Sequence, residues 1–381
     1  MEGQEVLRPV HPWAWWCWAI GTGLAVSGTT NPLLLALIAM AVIVVVIIRR
    51  TAAPWARSVR AYLLLSLFVI GMRVFFQIVI GGSGGETVLF TLPEVPLPDW
   101  AAGIRLGGTV TAEALSYTLY DALRLAVMLL CIGAANALAN PRQALKSVPA
   151  ALYEASVAVV IALTVAPQLI ESALRVRRAR RLRGDPVRGL RALGRIALPV
   201  LGDAIERSMA LAAGMEARGF ARTRGLAAPG ALPLMVGSVL LAVFGAFLLL
   251  STPYWAAATV ALILGMAGTG WGLRRAGSNL RVTSHRPHPW SWRSTGVALA
   301  GVGAAAIILT LGWLESSYES VFPTTDPLVW PELTMPMLLA AAFCLAPLAL
   351  TVPPQFRPVG DSRADTRVRT LRAAAALPDA R

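Results

Sequence analysis

Two arginine-glycine pairs near the middle of the chain are the residues whose type and spacing best fit a chemical role. They are Leu182-Arg183-Gly184 and Ala217-Arg218-Gly219, with the two arginines 35 residues apart. Each pair closes a helical pattern, so the glycine would supply the left-handed conformation that ends a helix. The guanidinium beside it is a planar, two-pronged donor that fits a carboxylate. The two pairs therefore predict binding of acidic groups on a partner, not catalysis.

One such pair alone is an ordinary helix stop, because arginine in a last turn also complements the helix dipole. The repetition at the ends of two consecutive helices favours a docking role. Arg180, Arg181 and Glu216, which lie beside the two pairs, are the candidate supporting residues.

The segment around the two pairs is predicted to be helical. Asn140-Pro141 opens a first helix, Gly184-Asp185-Pro186 separates two others, and Pro199 is placed at a helix start. Asp203 and Arg207 are four residues apart on one face and should pair. The predicted helices are 141–148, 151–183, 186–197 and 200–218.

The composition identifies an integral membrane protein. The 381 residues are 56% hydrophobic and 14% charged, whereas soluble proteins average about 25% charged residues. The net charge of +14 agrees with arginine-rich cytoplasmic loops. We predict an all-α polytopic fold located in the cell membrane.

Several functional classes are disfavoured by the residues present. The only lysine, Lys146, has no glycine nearby, so the chain lacks a Walker A nucleotide site. No cysteine or histidine spacing fits a metal, and no cofactor or catalytic constellation is expected. No aromatic residue lies between 154 and 219, so nucleic acid binding through base stacking is not expected.

Loop charges set the predicted topology. Arginines mark 49–60, 171–224 and 274–294 as cytoplasmic, while acidic residues mark 81–114 and 314–334 as external. Both flanks of 151–170 are then cytoplasmic, so this segment is predicted to lie along the inner face. Both termini are expected in the cytoplasm. The eight predicted spans are 13–29, 32–48, 62–80, 115–138, 232–250, 255–273, 295–313 and 335–352.

Four segments follow from this topology. Residues 1–138 would form an N-terminal membrane domain with four spans, and 139–230 a cytoplasmic or membrane-surface helical domain. Residues 231–352 would form the C-terminal membrane helices, and 353–381 an arginine-rich, disordered cytoplasmic tail.

The motifs resemble those of a known family, the transmembrane T component of energy-coupling-factor (ECF) transporters, related to the cobalt-permease Q proteins. The stretches "AAGMEARGF" at 212–220 and "RVRRARRLRG" at 175–184 are similar to its paired arginine motifs. "HPWAWW" at 11–16 and "NPRQALKSVPAALYE" at 140–154 add to the resemblance. It covers roughly residues 11–250.

This resemblance implies a mechanical coupler. Two ABC-type ATPase subunits would dock on Arg183 and Arg218, and the movement would pass to a separate substrate-binding (S) membrane subunit for vitamin or metal-ion uptake. ATP hydrolysis would belong to the partners, so this chain would not be an enzyme. Anionic lipid at the cytoplasmic face is a further expected partner of the arginine-rich segment.

The alternative is a self-contained secondary transporter that uses the intramembrane residues Arg73 and Arg124. Arginine at the centre of a span requires a partner inside the bundle. Asp121 or Glu113 could supply it, and in the coupler interpretation, which we favour, these residues only join two spans.

Overall fold

The computed structural model describes residues 10–51, 58–80, 85–96, 105–184, 190–220, 230–251, 255–278, 289–314 and 317–352. Of these residues 81% are helical, so the predicted all-α class is confirmed. The predicted tail, 353–381, lies outside the described residues.

Twelve helices, one 3-10 turn and one hairpin make up the described part of the chain. The first five helices are α1 (Pro12–Ser27), α2 (Pro32–Arg49), α3 (Ser58–Ile80), α4 (Ala112–Leu138) and α5 (Pro141–Lys146). The others are α6 (Tyr153–Leu182), α7 (Leu190–Ala217), α8 (Ala231–Ser251), α9 (Trp255–Gly277), α10 (Trp292–Trp313), α11 (Tyr318–Val321) and α12 (Met335–Leu350), and the 3-10 turn is Ala150–Leu152.

Side-chain caps begin the first two helices. The Nδ1 atom of His11 accepts the Trp13 N–H, and Oδ1 of Asn31 accepts the Leu33 N–H at 3.0 Å. Proline follows each cap in the first helical position, where its missing N–H is not needed.

A closed bundle of five helices contains the core. Around it α1 contacts α10, α10 contacts α12, α12 contacts α2, α2 contacts α4, and α4 returns to α1. Its interior holds the largest fully buried side chains, among them Trp18, Leu34, Ile38, Ile308 and Met337. Helices α10 and α12 therefore complete a bundle that α1, α2 and α4 begin.

Hydrogen bonds at each end of this bundle connect its early helices to its late ones. At one end, Asn31 Nδ2 donates to the carbonyl oxygens of Ser320 and Glu332, each at 2.8 Å. At the other end, the Arg49 guanidinium donates to the Leu348 carbonyl. Both contacts connect the α1–α2 region to the α10–α12 region.

Helix α3 packs on α4 and carries a hairpin beside it. Strands β1 (Val88–Pro96) and β2 (Arg105–Thr111) pair antiparallel, and β2 contacts α3. The loop charges predict only an external loop over 81–114, with the next span beginning at 115. Strand β2 instead leads directly into α4, whose first residue is Ala112.

A second compact unit covers 142–288. Within it α8 and α9 pack closely through glycines, because a Cβ on Gly245 would lie 2.5 Å from the Leu262 backbone nitrogen. The hydroxyls of Ser238 and Thr269 are 3.1 Å apart across the same contact. Helices α6 and α7 also contact each other.

The predicted helix break at Pro199 is wrong. Helix α7 runs from Leu190 to Ala217 with Pro199 inside it. Proline removes one backbone hydrogen bond, and the carbonyl left without it belongs to Arg195, which is exposed. Solvent can satisfy that carbonyl, so the helix continues.

Seven helical segments are long and apolar enough to cross a membrane, judged over the described residues. They include 150–182, which the charge pattern placed along the inner face. Helix α12 is a shorter apolar helix of 16 residues, and α1 is not among the seven. The sidedness of the loops and the four segments bounded at 138, 230 and 352 stay predictions. The seven candidates are Pro32–Arg49, Val59–Ile80, Ala112–Leu138, Ala150–Leu182, Ala231–Leu249, Ala256–Gly277 and Trp292–Trp313.

Candidate docking site at the ends of helices α6 and α7

The end of α6 has the predicted form. Leu182 is the last helical residue, Arg183 is the cap, and Gly184 adopts a φ of +78°. The Gly184 N–H donates to the Arg181 carbonyl at 3.2 Å. Leu182 itself is 89% exposed, so an apolar side chain stands beside the arginine on the surface.

The end of α7 forms a complete Schellman motif. Gly219 has a φ of +75°, and its N–H donates to the Glu216 carbonyl at 2.9 Å. The Phe220 N–H reaches back to the Met215 carbonyl at 3.0 Å, which is the six-to-one bond of that motif. The two predicted helix stops are therefore confirmed, while their docking role stays a prediction.

Both candidate arginines are free to meet a partner. Arg183 and Arg218 are exposed, and in the described part of the chain neither makes a side-chain hydrogen bond or ion pair. Arg181 and Glu216 are also exposed, whereas Arg180 is half-buried and engaged within the chain. The guanidinium groups at the two ends thus differ from Arg180 in having open donors.

A polar cluster joins the two helices between these ends. Ser172 Oγ donates to Asp203 Oδ2 at 2.6 Å, and Arg207 Nε donates to Asp203 Oδ1 at 3.0 Å. Arg175 lies 3.9 Å from the same carboxylate. The predicted Asp203–Arg207 pair is confirmed, and we call these four residues, with Gln168, the Asp203 cluster.

The cluster lowers the pKa of Asp203. The Ser172 hydroxyl contributes most, followed by the hydrogen bond from Arg207, and both favour the ionised carboxylate. The Arg207 Nη1 atom also reaches Gln168 Oε1 at 3.4 Å. Sequence reasoning missed Ser172 and Gln168, although Gln168, Ser172 and Arg175 recur at helical spacing on one face of α6.

The contacts show that α6 and α7 run antiparallel. The Tyr153 ring, at the start of α6, lies 6.3 Å from the Phe220 ring beyond the end of α7. Further along α6, Ser172 meets Asp203, which is earlier in α7. The two arginine ends consequently point in opposite directions from the Asp203 cluster.

The separation of the two arginine ends follows from the number of helical residues between each arginine and the Asp203 cluster. Arg183 lies 11 residues beyond Ser172, and Arg218 lies 15 residues beyond Asp203. At about 1.5 Å per residue these are about 16 Å and 22 Å. The two ends are thus too far apart for one carboxylate to bind both.

The intramembrane arginines lie elsewhere in the chain. Asp121 on α4 pairs with Arg73 on α3 and, at 2.6 Å, with Arg124 on its own helix. Glu113, the other candidate partner, instead accepts the Thr87 backbone N–H at 3.0 Å. The prediction that Asp121 or Glu113 would pair with these arginines is confirmed for Asp121.

The described residues contain no cluster of three or more His, Cys, Asp or Glu side chains that could hold a metal ion. The exposed guanidinium groups at the two helix ends can donate hydrogen bonds to an acidic group.

Comparison with known proteins assigns the family. The family model of CbiQ, cobalt transport protein, matches residues 3–229, which is more than half of the chain. The chain belongs to the CbiQ family. No curated protein matches it significantly. The CbiQ match includes both arginine ends and stops just before α8, so α8 to α12 lie beyond it.

Membership of CbiQ, together with the apolar helices, makes this chain a multi-pass membrane component of a transport system. Helices α10 and α12 lie outside the CbiQ match but complete the bundle formed by α1, α2 and α4.

Proposed function

We propose that this chain is the transmembrane coupling subunit of an ATP-driven ECF importer. The observation that carries the proposal is the pair of exposed arginines at the opposite ends of one antiparallel helix pair. Two separated guanidinium ends suit two copies of an ATPase subunit, one at each end. The chain has no Walker A motif of its own, so ATP would act through those partners.

The Asp203 cluster supports a mechanical role for the helix pair. A coupler must move as one body if displacement at its ends is to reach the membrane. The carboxylate of Asp203 holds α7 to Ser172 and Arg175 of α6. Movement of the two ATPase subunits would therefore shift both helices together, and the membrane helices would pass that shift to a separate substrate-binding subunit.

The remaining exposed arginines of α6 have a different proposed partner. Arg177, Arg178 and Arg181 are exposed along the helix and would contact anionic lipid headgroups at the cytoplasmic face.

Cobalt is the cargo that the family name suggests, and the separate membrane subunit would determine which vitamin or metal ion is carried.

Charge reversal at the two ends tests the proposal. In Arg183→Glu with Arg218→Glu, each partner carboxylate would face a like charge, so ATPase copurification should fall roughly 30-fold or more. Immunoblotting of the ATPase after affinity purification of the membrane complex measures the change.

A matched control separates docking from net charge. Arg177→Glu with Arg195→Glu changes the charge by the same amount at exposed positions away from the helix ends, and it should keep the ATPase bound. Wild-type copurification by the Arg183 and Arg218 double variant would disprove the docking role.

A further inference from the structure

Among the described residues of the seam between α3 and α4, positive charges exceed negative charges by one around Asp121. Arg73 and Arg124 share a single carboxylate, that of Asp121. The remaining charged side chains of these helices are Arg60, near the start of α3, and Glu113, whose carboxylate faces the Thr87 N–H about two turns from Asp121. Two cations and one anion therefore leave a net charge of about +1 at the cluster.

This charge lies within the apolar length of both helices. Arg73 is 15 residues after the first residue of α3 and 7 before the last, which is about 22 Å and 10 Å from the two ends. Arg124 is 12 residues after the first residue of α4 and 14 before the last, which is about 18 Å and 21 Å from the two ends. The ion pairs with Asp121 hold both guanidinium groups at these depths, about 10 Å or more from the nearer helix end. An unbalanced charge is expensive in hydrocarbon, so it requires an anion at the same depth.

The cluster is open on the side away from the bundle. Arg73 is 44% exposed and Arg124 33% exposed, while Asp121 is 21% exposed. Only 6% of the most apolar stretch of α3 is buried. The main contacts of α3 in the described chain are with α4 and β2. An incoming helix could therefore reach both guanidinium groups.

We propose that the α3–α4 face docks a transmembrane helix of a partner that carries an aspartate or glutamate at mid-membrane depth. Its carboxylate accepts hydrogen bonds from the open donors of Arg73 and Arg124 and neutralises the cluster. Identifying that helix with the substrate-binding subunit rests on the proposed function. A carboxylate is the expected partner group because the cluster has a net positive charge and lies within the apolar length of the helices.

Two synthetic transmembrane peptides test the site directly. Both are leucine-rich helices of about 20 residues, and they differ only in a central Asp or Asn. The full chain, labelled with a fluorescent acceptor, is reconstituted with a donor-labelled peptide in neutral phosphatidylcholine vesicles. We expect the Asp peptide to associate about tenfold more strongly than the Asn peptide.

Variants assign the effect to the cluster. Arg73→Gln leaves a neutral Asp121–Arg124 pair and should abolish the preference for the Asp peptide. Gln77→Leu is the matched control, because Gln77 accepts the Thr118 hydroxyl at 3.0 Å in the same seam without carrying charge, and it should keep the preference. A thermal melt of the purified chain checks that Arg73→Gln remains folded.

Equal binding of the two peptides to the wild-type chain would overturn the proposal. Loss of the preference on addition of phosphatidylglycerol vesicle lipid would also overturn it, since the lipid phosphate would then be the anion. The assay contains no ATPase, so its failure is distinct from failure of the Arg183 and Arg218 experiment.

Discussion

At the residue scale, Asp203 shows how a single carboxylate can hold two helices in register. It receives a hydroxyl from Ser172 of α6 and a guanidinium from Arg207 of its own helix. The Ser172 side chain is 4% exposed, so breaking this contact would leave a buried hydroxyl without its acceptor. Gly184 and Gly219 then turn the chain away beyond each arginine.

The lowered pKa of Asp203 predicts a pH-dependent helix pair. A depressed pKa in the folded state means that the carboxylate stabilises the pair above the ordinary aspartate pKa of about 4, and that this stabilisation is lost as the pH falls through the lowered pKa. Spin labels at the exposed positions 182 and 198 should give a narrow distance distribution at neutral pH, and the distribution should broaden as the pH falls from about 4 through the lowered pKa of Asp203.

Two variants check the origin of that change. Asp203→Asn should give the broad distribution at every pH, since it lacks the ionised group. Glu206→Gln alters an exposed carboxylate one turn away and should behave as the wild-type chain does. A narrow distribution in Asp203→Asn at neutral pH would show that apolar contacts alone fix the pair.

At the scale of elements, small residues decide how closely helices approach. A Cβ on Gly301 of α10 would lie 2.4 Å from the Trp18 carbonyl oxygen of α1, and a Cβ on Gly21 would lie 2.4 Å from the Gly301 carbonyl carbon. Neither neighbour is a side chain that can rotate away. The α1–α10 contact therefore depends on glycine at both positions.

Gly301→Ala should destabilise the bundle by about 1–3 kcal/mol, because the added methyl group forces the two backbones apart. Thermal unfolding in detergent, followed by tryptophan fluorescence, measures the loss. Gly71→Ala on α3 has nothing within 4 Å of the new methyl group and should be neutral or slightly stabilising. Equal melting temperatures for the two variants would contradict the close contact.

Helix positions were largely predictable from the sequence, and their partners were not. Apolar run length predicted α2, α3, α4, α8, α9 and α10, and the arginine-glycine pairs predicted where α6 and α7 end. Local rules overestimated Pro199, since the carbonyl that it frees, that of Arg195, is exposed and can accept a hydrogen bond from water. The hairpin was missed because Gly107 and Gly108 dilute the strand pattern of β2.

The two arginine-glycine helix ends could be predicted from the sequence because their signal is local, while their docking role stays a proposal. The antiparallel order of these two ends depended on the contact between Ser172 and Asp203, which are 31 residues apart. Long-range pairing of this kind leaves no periodic trace in a single sequence.

At the scale of the whole molecule, helices from the two ends of the sequence pack in one bundle. The CbiQ match ends at residue 229, yet α10 and α12 contribute Val297, Ile308 and Met337 to the core shared with α1, α2 and α4. Helices α10 and α12 are thus part of the same scaffold as α1, α2 and α4.

Truncation after residue 230 should accordingly leave the N-terminal helices without a stable bundle. We expect little monodisperse protein by fluorescence-detected size-exclusion chromatography, and recovery when 231–381 is expressed as a second chain. Truncation after residue 352 removes only the tail and should give the wild-type profile. A monodisperse 1–230 fragment would show that α10 and α12 are dispensable for folding.

Because α10 and α12 come late in the chain, the bundle can be completed only some time after α1, α2 and α4 are synthesised. The ribosome adds about 5 to 20 residues per second, so about 10 to 40 seconds pass between synthesis of Leu138, at the end of α4, and Leu350, at the end of α12. During that interval α1, α2 and α4 lack the two helices that cover one side of their bundle. We expect the insertion machinery or a membrane chaperone to shield that side until translation finishes, and ribosomes that stall in this interval should yield chains that membrane proteases remove.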